Sequence, residues 1–192
     1  MTTFNIIGTG NMGKAIGGVL ADGGSAVSYL TREQVGTTPL DGDVVVLAVP
    51  YPAIAGILTA YGDQFAGKVV VDISNPLNFE TFDSLVVPAG SSAAAEIQAK
   101  LPNAHVLKAF NTTFAATLGS KQVGTAQTTV LIAGADAAAK QLLAAAVEAG
   151  GVGAIDAGSL ARAHELEAIG FLQLTLAIGE KVGWTGGFAV IR

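Results

Sequence analysis

Three glycines at fixed spacing carry the first chemical signal. Gly8, Gly10 and Gly13 stand in the string GTGNMG, after the apolar run Phe4–Ile7 and at the start of a helical pattern from Met12 to Asp22. In a strand–turn–helix setting each glycine has a separate task. Gly8 allows the tight turn, Gly10 lets the backbone approach a diphosphate, and Gly13 lets helix and strand pack closely. The helix start adds unpaired N–H groups and the positive end of its dipole, both of which favour an anion. With Thr9, Asn11 and Met12 completing the turn, these residues predict a dinucleotide site rather than a glycine turn that only packs.

The end of the next strand selects the dinucleotide. An acid there holds a ribose 2′-hydroxyl in NAD-binding turns. Here the strand ends Tyr29-Leu30-Thr31-Arg32. Thr31 offers a hydroxyl, and Arg32 offers a fork of donors suited to a 2′-phosphate. NADP(H) is therefore expected, with Glu33 pointing away along the following turn. The competing reading of Arg32 is a solvated surface charge. Ligands in open α/β sheets lie outside the carboxyl ends of the strands. Ala48, Val49, Pro50 and Tyr51 follow one buried strand, Asn75, Pro76 and Leu77 a second, and Ala109, Phe110 and Asn111 a third. All should line one crevice. Asn111 either hydrogen-bonds a nicotinamide carboxamide or makes a turn, and Phe110 is read as packing.

The elements that must position these residues alternate along the chain. Strands are expected at Phe4–Ile7, Ala26–Leu30, Val44–Val49, Lys68–Ile73, His105–Phe110, Thr128–Ala133 and Gly153–Asp156, with a strand-like stretch at Phe188–Ile191. Helices are expected from Met12, from Pro52 to about Ala60, from Ser92 to about Leu101, after an N-cap at Asp136, and from Ala161 to about Lys181. Strands alternating with helices imply βαβ units and a Rossmann-type, doubly wound parallel sheet. A Gly/Thr/Gln-rich connector near Gly119–Gln127 marks a soft boundary. We expect an NADP-binding domain over residues 1–122 and a small C-terminal α/β domain over residues 123–192.

Composition removes other classes. Of 192 residues, 51% are hydrophobic and 13% charged, a balance that buries a core and rules out intrinsic disorder. The net charge of −5 comes without any run of Lys or Arg, so no nucleic-acid partner is expected. The absence of cysteine excludes disulfides, thiolate zinc sites and thiol nucleophiles. Neither a signal peptide nor a membrane span is read, and a cytoplasmic protein is expected.

Taken in order, GTGNMG, YLTR, DVVVLAVPY, VVVDISNPLN, SSAAAEIQAKLPNAHVLKAFNT and TVLIAGAD resemble the NADP-dependent coenzyme F420 (deazaflavin) oxidoreductase family and its short relatives, from Phe4 to about Gln173. The resemblance implies a Rossmann domain, a small C-terminal domain and a homodimer. It implies NADP(H) at Thr9 to Met12, Thr31, Arg32, Val49 to Tyr51, Asn75 and Ala109, and direct hydride transfer to a flat ring stacked on the nicotinamide. The acceptor would be a small molecule: deazaflavin, FMN or FAD. One interval departs from the family. Only ten residues, Glu33 to Gly42, lie between Arg32 and Asp43. A helical crossover needs a dozen or more. The family's third strand and its helix have no room, which leaves Ala26–Leu30 at or near the sheet edge.

Such a reaction asks little proton chemistry of side chains, because the protein supplies orientation and the cofactor the reactivity. No catalytic residue and no metal ligand is therefore nominated. His105 reads as structural, and Asp72 as an internal hydrogen-bonding group. Leu77, His164 and Trp184 are the candidate substrate contacts. Trp184 and Phe188 form either an apolar wall for a flat ring or part of a core or dimer interface. Leu166, Ile169, Leu172 and Leu176 read as a packing stripe, core or dimer contact. Three alternatives remain: an imine or pyrroline-carboxylate type reductase, an NADPH sensor without turnover, and a domain passing electrons to a partner's metal centre.

Overall fold

In a computed structural model, described here over residues 1–191, seven strands share one sheet. The chain runs β1 (Thr3–Ile7), α1 (Asn11–Asp22), β2 (Ala26–Leu30), β3 (Val44–Leu47), α2 (Tyr51–Tyr61), β4 (Val69–Asp72), α3 (Ala93–Lys100) and β5 (His105–Lys108). It continues through α4 (Ala115–Ser120), the small hairpin β6 (Gln122–Val123) and β7 (Ala126–Gln127), β8 (Thr129–Gly134), α5 (Ala137–Ala149), β9 (Gly153–Gly158) and α6 (Ala163–Ile178). Across the sheet the strands lie in the order β2-β1-β3-β4-β5-β8-β9, and the first five are parallel. β8 then runs antiparallel to β5, and β9 parallel to β8. The C-terminal strands thus extend the first sheet in the opposite direction. The expected connector near Gly119–Gln127 is in fact a short helix and the hairpin.

Strand periodicity splits the core in two. Phe4, Ile6, Val44, Val46 and Val71 face α1 and α5, where Ile16, Leu20, Leu143 and Val147 meet them. Ile7, Val45, Leu47, Val70 and Val106 face α2 and α3, with Ile54, Leu58 and Ile97. Burial on both faces explains why these strands read as unbroken apolar runs.

β2 is an edge strand, as the ten-residue interval required. A 3-10 turn at Arg32–Gln34 takes the place of a crossover helix. Buried Asn5 anchors the short route: its side chain donates to Ser28 Oγ at 2.6 Å and Asp41 Oδ1 at 3.0 Å and accepts from Gly42 N at 2.6 Å.

Two expectations change. The 188–191 stretch is not a strand: among the described residues no strand pairs with it, and the Phe188 amide donates instead to the Gln173 side chain at 2.9 Å. The stripe on α6 also divides. Leu166 is buried, but Ile169 and Leu172 are exposed, and the face turned inward carries Glu167, Gly170 and Gln173. Polar partners on other elements satisfy those side chains, so apolarity does not choose the inner face. Among the described residues no helix is long and apolar enough to cross a membrane.

Candidate active site

The glycine turn joins β1 to α1 with little room to spare. Gly8 has φ +114°, a conformation open to glycine but not to residues with a Cβ. A Cβ there would also run into the carbonyl oxygen of Ala48. One on Gly13 would strike the Gly8 carbonyl, so these two glycines let β1, β3 and α1 close on one another. Gly10 differs. Its backbone is extended, at φ −72° and ψ −178°, and nothing lies within 4 Å of where a Cβ would stand. Gly10 caps α1 without a side-chain bond, and the first turn of α1 holds no acid. Thr9, Gly10 and Asn11 are exposed. The turn is therefore an open, uncapped helix N-terminus, and its residues fit a nucleotide diphosphate.

At the end of β2, Gln34 Oε1 accepts the Thr31 amide at 2.8 Å and closes the 3-10 turn. Arg32 is exposed. Glu33 is exposed beside it on the same 3-10 turn. A hydrogen bond from Thr31, then its own backbone amide, then the Arg32 charge hold its carboxyl below the usual range. Tyr51 opens α2 and donates its hydroxyl to Glu96. Burial, followed by that carboxylate, pushes the phenol up to about 12. Ala48 and Val49 are half-buried and Pro50 is exposed beside them.

Asn75 and Asn111 interlock across the ends of β4 and β5. Asn75 Nδ2 donates to the Asn111 carbonyl at 2.9 Å, and Asn111 Nδ2 donates to Asn75 Oδ1 at 2.9 Å and to the Leu166 carbonyl at 2.8 Å. A Cβ on Gly170 would collide with this pair, which is why α6 carries glycine there. Ala109 is wholly buried in the sheet core and Pro76 is buried next to Asn75. Phe110, also wholly buried, has φ +63°. A non-glycine residue held in that region stores backbone strain, of a kind that collects at functional sites.

Asn75, Phe110 and Asn111 border a cavity of about 440 Å³, whereas Pro76 and Ala109 do not line it. Asn11 and Met12 of the glycine turn line one part; Ile73, Asn75, Phe110, Asn111, Phe114, Leu174 and Trp184 line much of the rest. Trp184 stands with its ring centroid 5.0 Å from that of Phe114. Gln173 holds the tail in place, with Nε2 on the Thr112 carbonyl at 3.2 Å and Oε1 on the Phe188 amide. Of the three expected substrate contacts, Trp184 reaches the cavity. Leu77 is buried and bridges to Leu85, and His164 is held by the Ser91 carbonyl at 3.1 Å; neither is among the lining residues.

Sequence reasoning missed a buried charge cluster behind these loops. Lys108 Nζ lies 2.7 Å from Asp72 Oδ2 and 2.8 Å from Glu167 Oε1, all three side chains wholly buried, and it donates to the Ser74 carbonyl. Glu167 also accepts the Ala93 amide at 3.0 Å at the start of α3. Burial outweighs these partners and raises its pKa above the ordinary 4.5. A signal was present: Asp72 and Lys108 each close an apolar strand, and they are register partners. Glu167 had no comparable mark.

Comparison with known proteins agrees with this geometry. The family model described as NADP oxidoreductase, coenzyme F420-dependent, matches residues 31–76. The F420-dependent NADP reductase of Methanocaldococcus jannaschii is 32% identical over 150 residues, covering 76% of this chain and 67% of that protein. Metalloreductase STEAP3 of Rattus norvegicus is 37% identical over 113 residues, which cover 58% of this chain but 22% of the relative. A crystal structure from Arthrobacter sp. FB24, provisionally named an F420-dependent NADP-reductase, superposes over 100% of both chains with a TM-score of 0.85 and 26% identity. With its glycine turn, Rossmann-like sheet and these relatives, the chain belongs to the coenzyme F420-dependent NADP oxidoreductase family and is an oxidoreductase.

Proposed function

We propose that the chain exchanges a hydride between NADP(H) and a deazaflavin of the coenzyme F420 type. One observation carries the reading. The open glycine turn and the aromatic cavity are continuous, because Asn11 and Met12 belong to both. A nucleotide held by its diphosphate at Gly8–Gly13 therefore has its far end directed toward Asn75, Asn111 and Trp184. When bound, NADP(H) supplies the hydride chemistry. The chain's own residues bind and orient. Thr9 to Met12 hold the diphosphate, and Thr31 and Arg32 the adenosine phosphate. Ala48 to Tyr51 and Asn75 border the sugar and nicotinamide, while buried Pro76 and Ala109 back that edge from within the protein. Phe110, Phe114, Leu174 and Trp184 give flat apolar walls that exclude water from a reacting ring.

In this reading residues 1–122 carry the nucleotide, and the remainder contributes Leu174 and Trp184 to the acceptor end. Exposed Ile169 and Leu172 on α6 favour a second copy of the chain over that face. The names of the Methanocaldococcus and Arthrobacter proteins pair F420 with NADP, and neither gives FMN or FAD. The test follows NADPH absorbance with deazaflavin, FMN, FAD and quinones offered in turn. Oxidation with the deazaflavin is expected. Nucleotide binding without oxidation by any acceptor would favour a sensor and overturn the proposal.

A further inference from the structure

Asn111 is 5% exposed, and its Oδ1 has no hydrogen-bond partner among the described residues. The identity of that atom follows from its surroundings. The other end of the amide faces two oxygens, Asn75 Oδ1 and the Leu166 carbonyl, and only a nitrogen bonds both. Asn75 is fixed in turn, because its own nitrogen faces the Asn111 carbonyl. Reversing the Asn111 amide would set oxygen against oxygen twice. The unpartnered atom is therefore an acceptor held in one orientation by three hydrogen bonds, in a residue that lines the cavity. Buried acceptors are seldom left unpaired, and a site that holds one ready discriminates strongly between ligands with and without the matching donor.

We infer that Asn111 Oδ1 receives an amide- or imide-type N–H carried by a flat ring in the cavity, and so makes Asn111 a specificity-determining residue. This deepens the proposed function and rests on its placement of NADPH and acceptor. Two rings present such a donor: the nicotinamide, through its carboxamide, and the pyrimidine-dione portion of a deazaflavin, through the nitrogen between its two carbonyls. Quinones carry carbonyls alone and leave the oxygen unpaired. The strained turn at Phe110 is the neighbouring feature that fixes the height of Asn111 above the sheet, with the Phe110 carbonyl tied by the Thr113 hydroxyl at 2.8 Å.

The experiment is calorimetry on the full chain with matched ligand pairs. One pair is NADPH and its 3-acetylpyridine analogue, in which a methyl replaces the carboxamide nitrogen. The other is a deazaflavin and its derivative methylated on the imide nitrogen. Wild-type protein is expected to bind one member of one pair roughly 5- to 100-fold more weakly, and the affected pair identifies the source of the N–H. In Asn111→Ala the members of that pair should bind alike. Equal affinities within both pairs in the wild type would overturn the inference, and this comparison needs no variant to fold. A penalty that persists undiminished in N111A would overturn it too. Absence of heat with NADPH itself would instead defeat the proposed function, and this inference with it.

Discussion

Lys108 on β5 and Glu167 on α6 meet in a 2.8 Å ion pair from which solvent is excluded on both sides. Asp72 lies on the other side of the same ammonium, at 2.7 Å. One cation thus serves two carboxylates and, through the Ser74 carbonyl, fixes the backbone just before Asn75. The cluster links the sheet, α3 and α6 to the loop at the cavity.

Removing the cation should be costly. Lys108→Met would leave two buried carboxylates uncompensated, and a loss of about 3–5 kcal/mol is expected in urea unfolding. A loss below about 1 kcal/mol would show that the cluster is not held as described. The same site gives a pH dependence. The Glu167 carboxyl binds its proton more tightly in the folded chain than in the unfolded one. Its contribution to stability therefore falls as pH rises from the ordinary 4.5 toward its raised folded value, and below 4.5 the penalty is absent. Glu167→Gln should remove that slope from a plot of unfolding free energy against pH.

The packing and ligand-facing roles in the glycine turn separate by substitution. Gly8→Ala meets both the Ala48 carbonyl and a positive φ, so it should destabilise the fold and abolish nucleotide binding together. Gly10→Ala meets nothing in the protein and an ordinary φ, so its stability should stay within about 1 kcal/mol of wild type. Its NADPH affinity should nevertheless fall at least about tenfold, because the new methyl stands where a diphosphate would approach the backbone. Thermal unfolding with and without NADPH measures both quantities. Unchanged NADPH binding by G10A would place the diphosphate elsewhere.

Arg32 and Glu33 should act in opposite directions on coenzyme choice. Arg32→Ala is expected to weaken NADPH binding roughly ten- to a hundredfold, with much less effect on NADH. Glu33 follows Arg32 on the same 3-10 turn, so its charge lies beside the site assigned to the 2′-phosphate. Glu33→Gln should therefore strengthen NADPH binding modestly and leave NADH unchanged. Fluorescence titrations with both coenzymes decide the point; equal losses of the two in R32A would remove its role in selection.

Local chemistry in the sequence determined the succession of elements, the glycine turn and the edge position of β2. Each depends on residues near one another in the chain: β-branched runs, glycine spacing, and an interval too short for a crossover helix. Tertiary structure alone decided the reversed direction of β8, the polar inner face of α6 and the meeting of Asp72, Lys108 and Glu167. Asp72 and Lys108 are 36 residues apart, and the Ala93 amide and Glu167 are separated by 74. Whether a charge or an amide is worth burying depends on partners brought by distant strands and helices, and periodicity carries no information about those partners. The same reason hid the Asn75–Asn111 interlock, which exists because Gly170 lets α6 approach two loops whose asparagines are 36 residues apart in the chain.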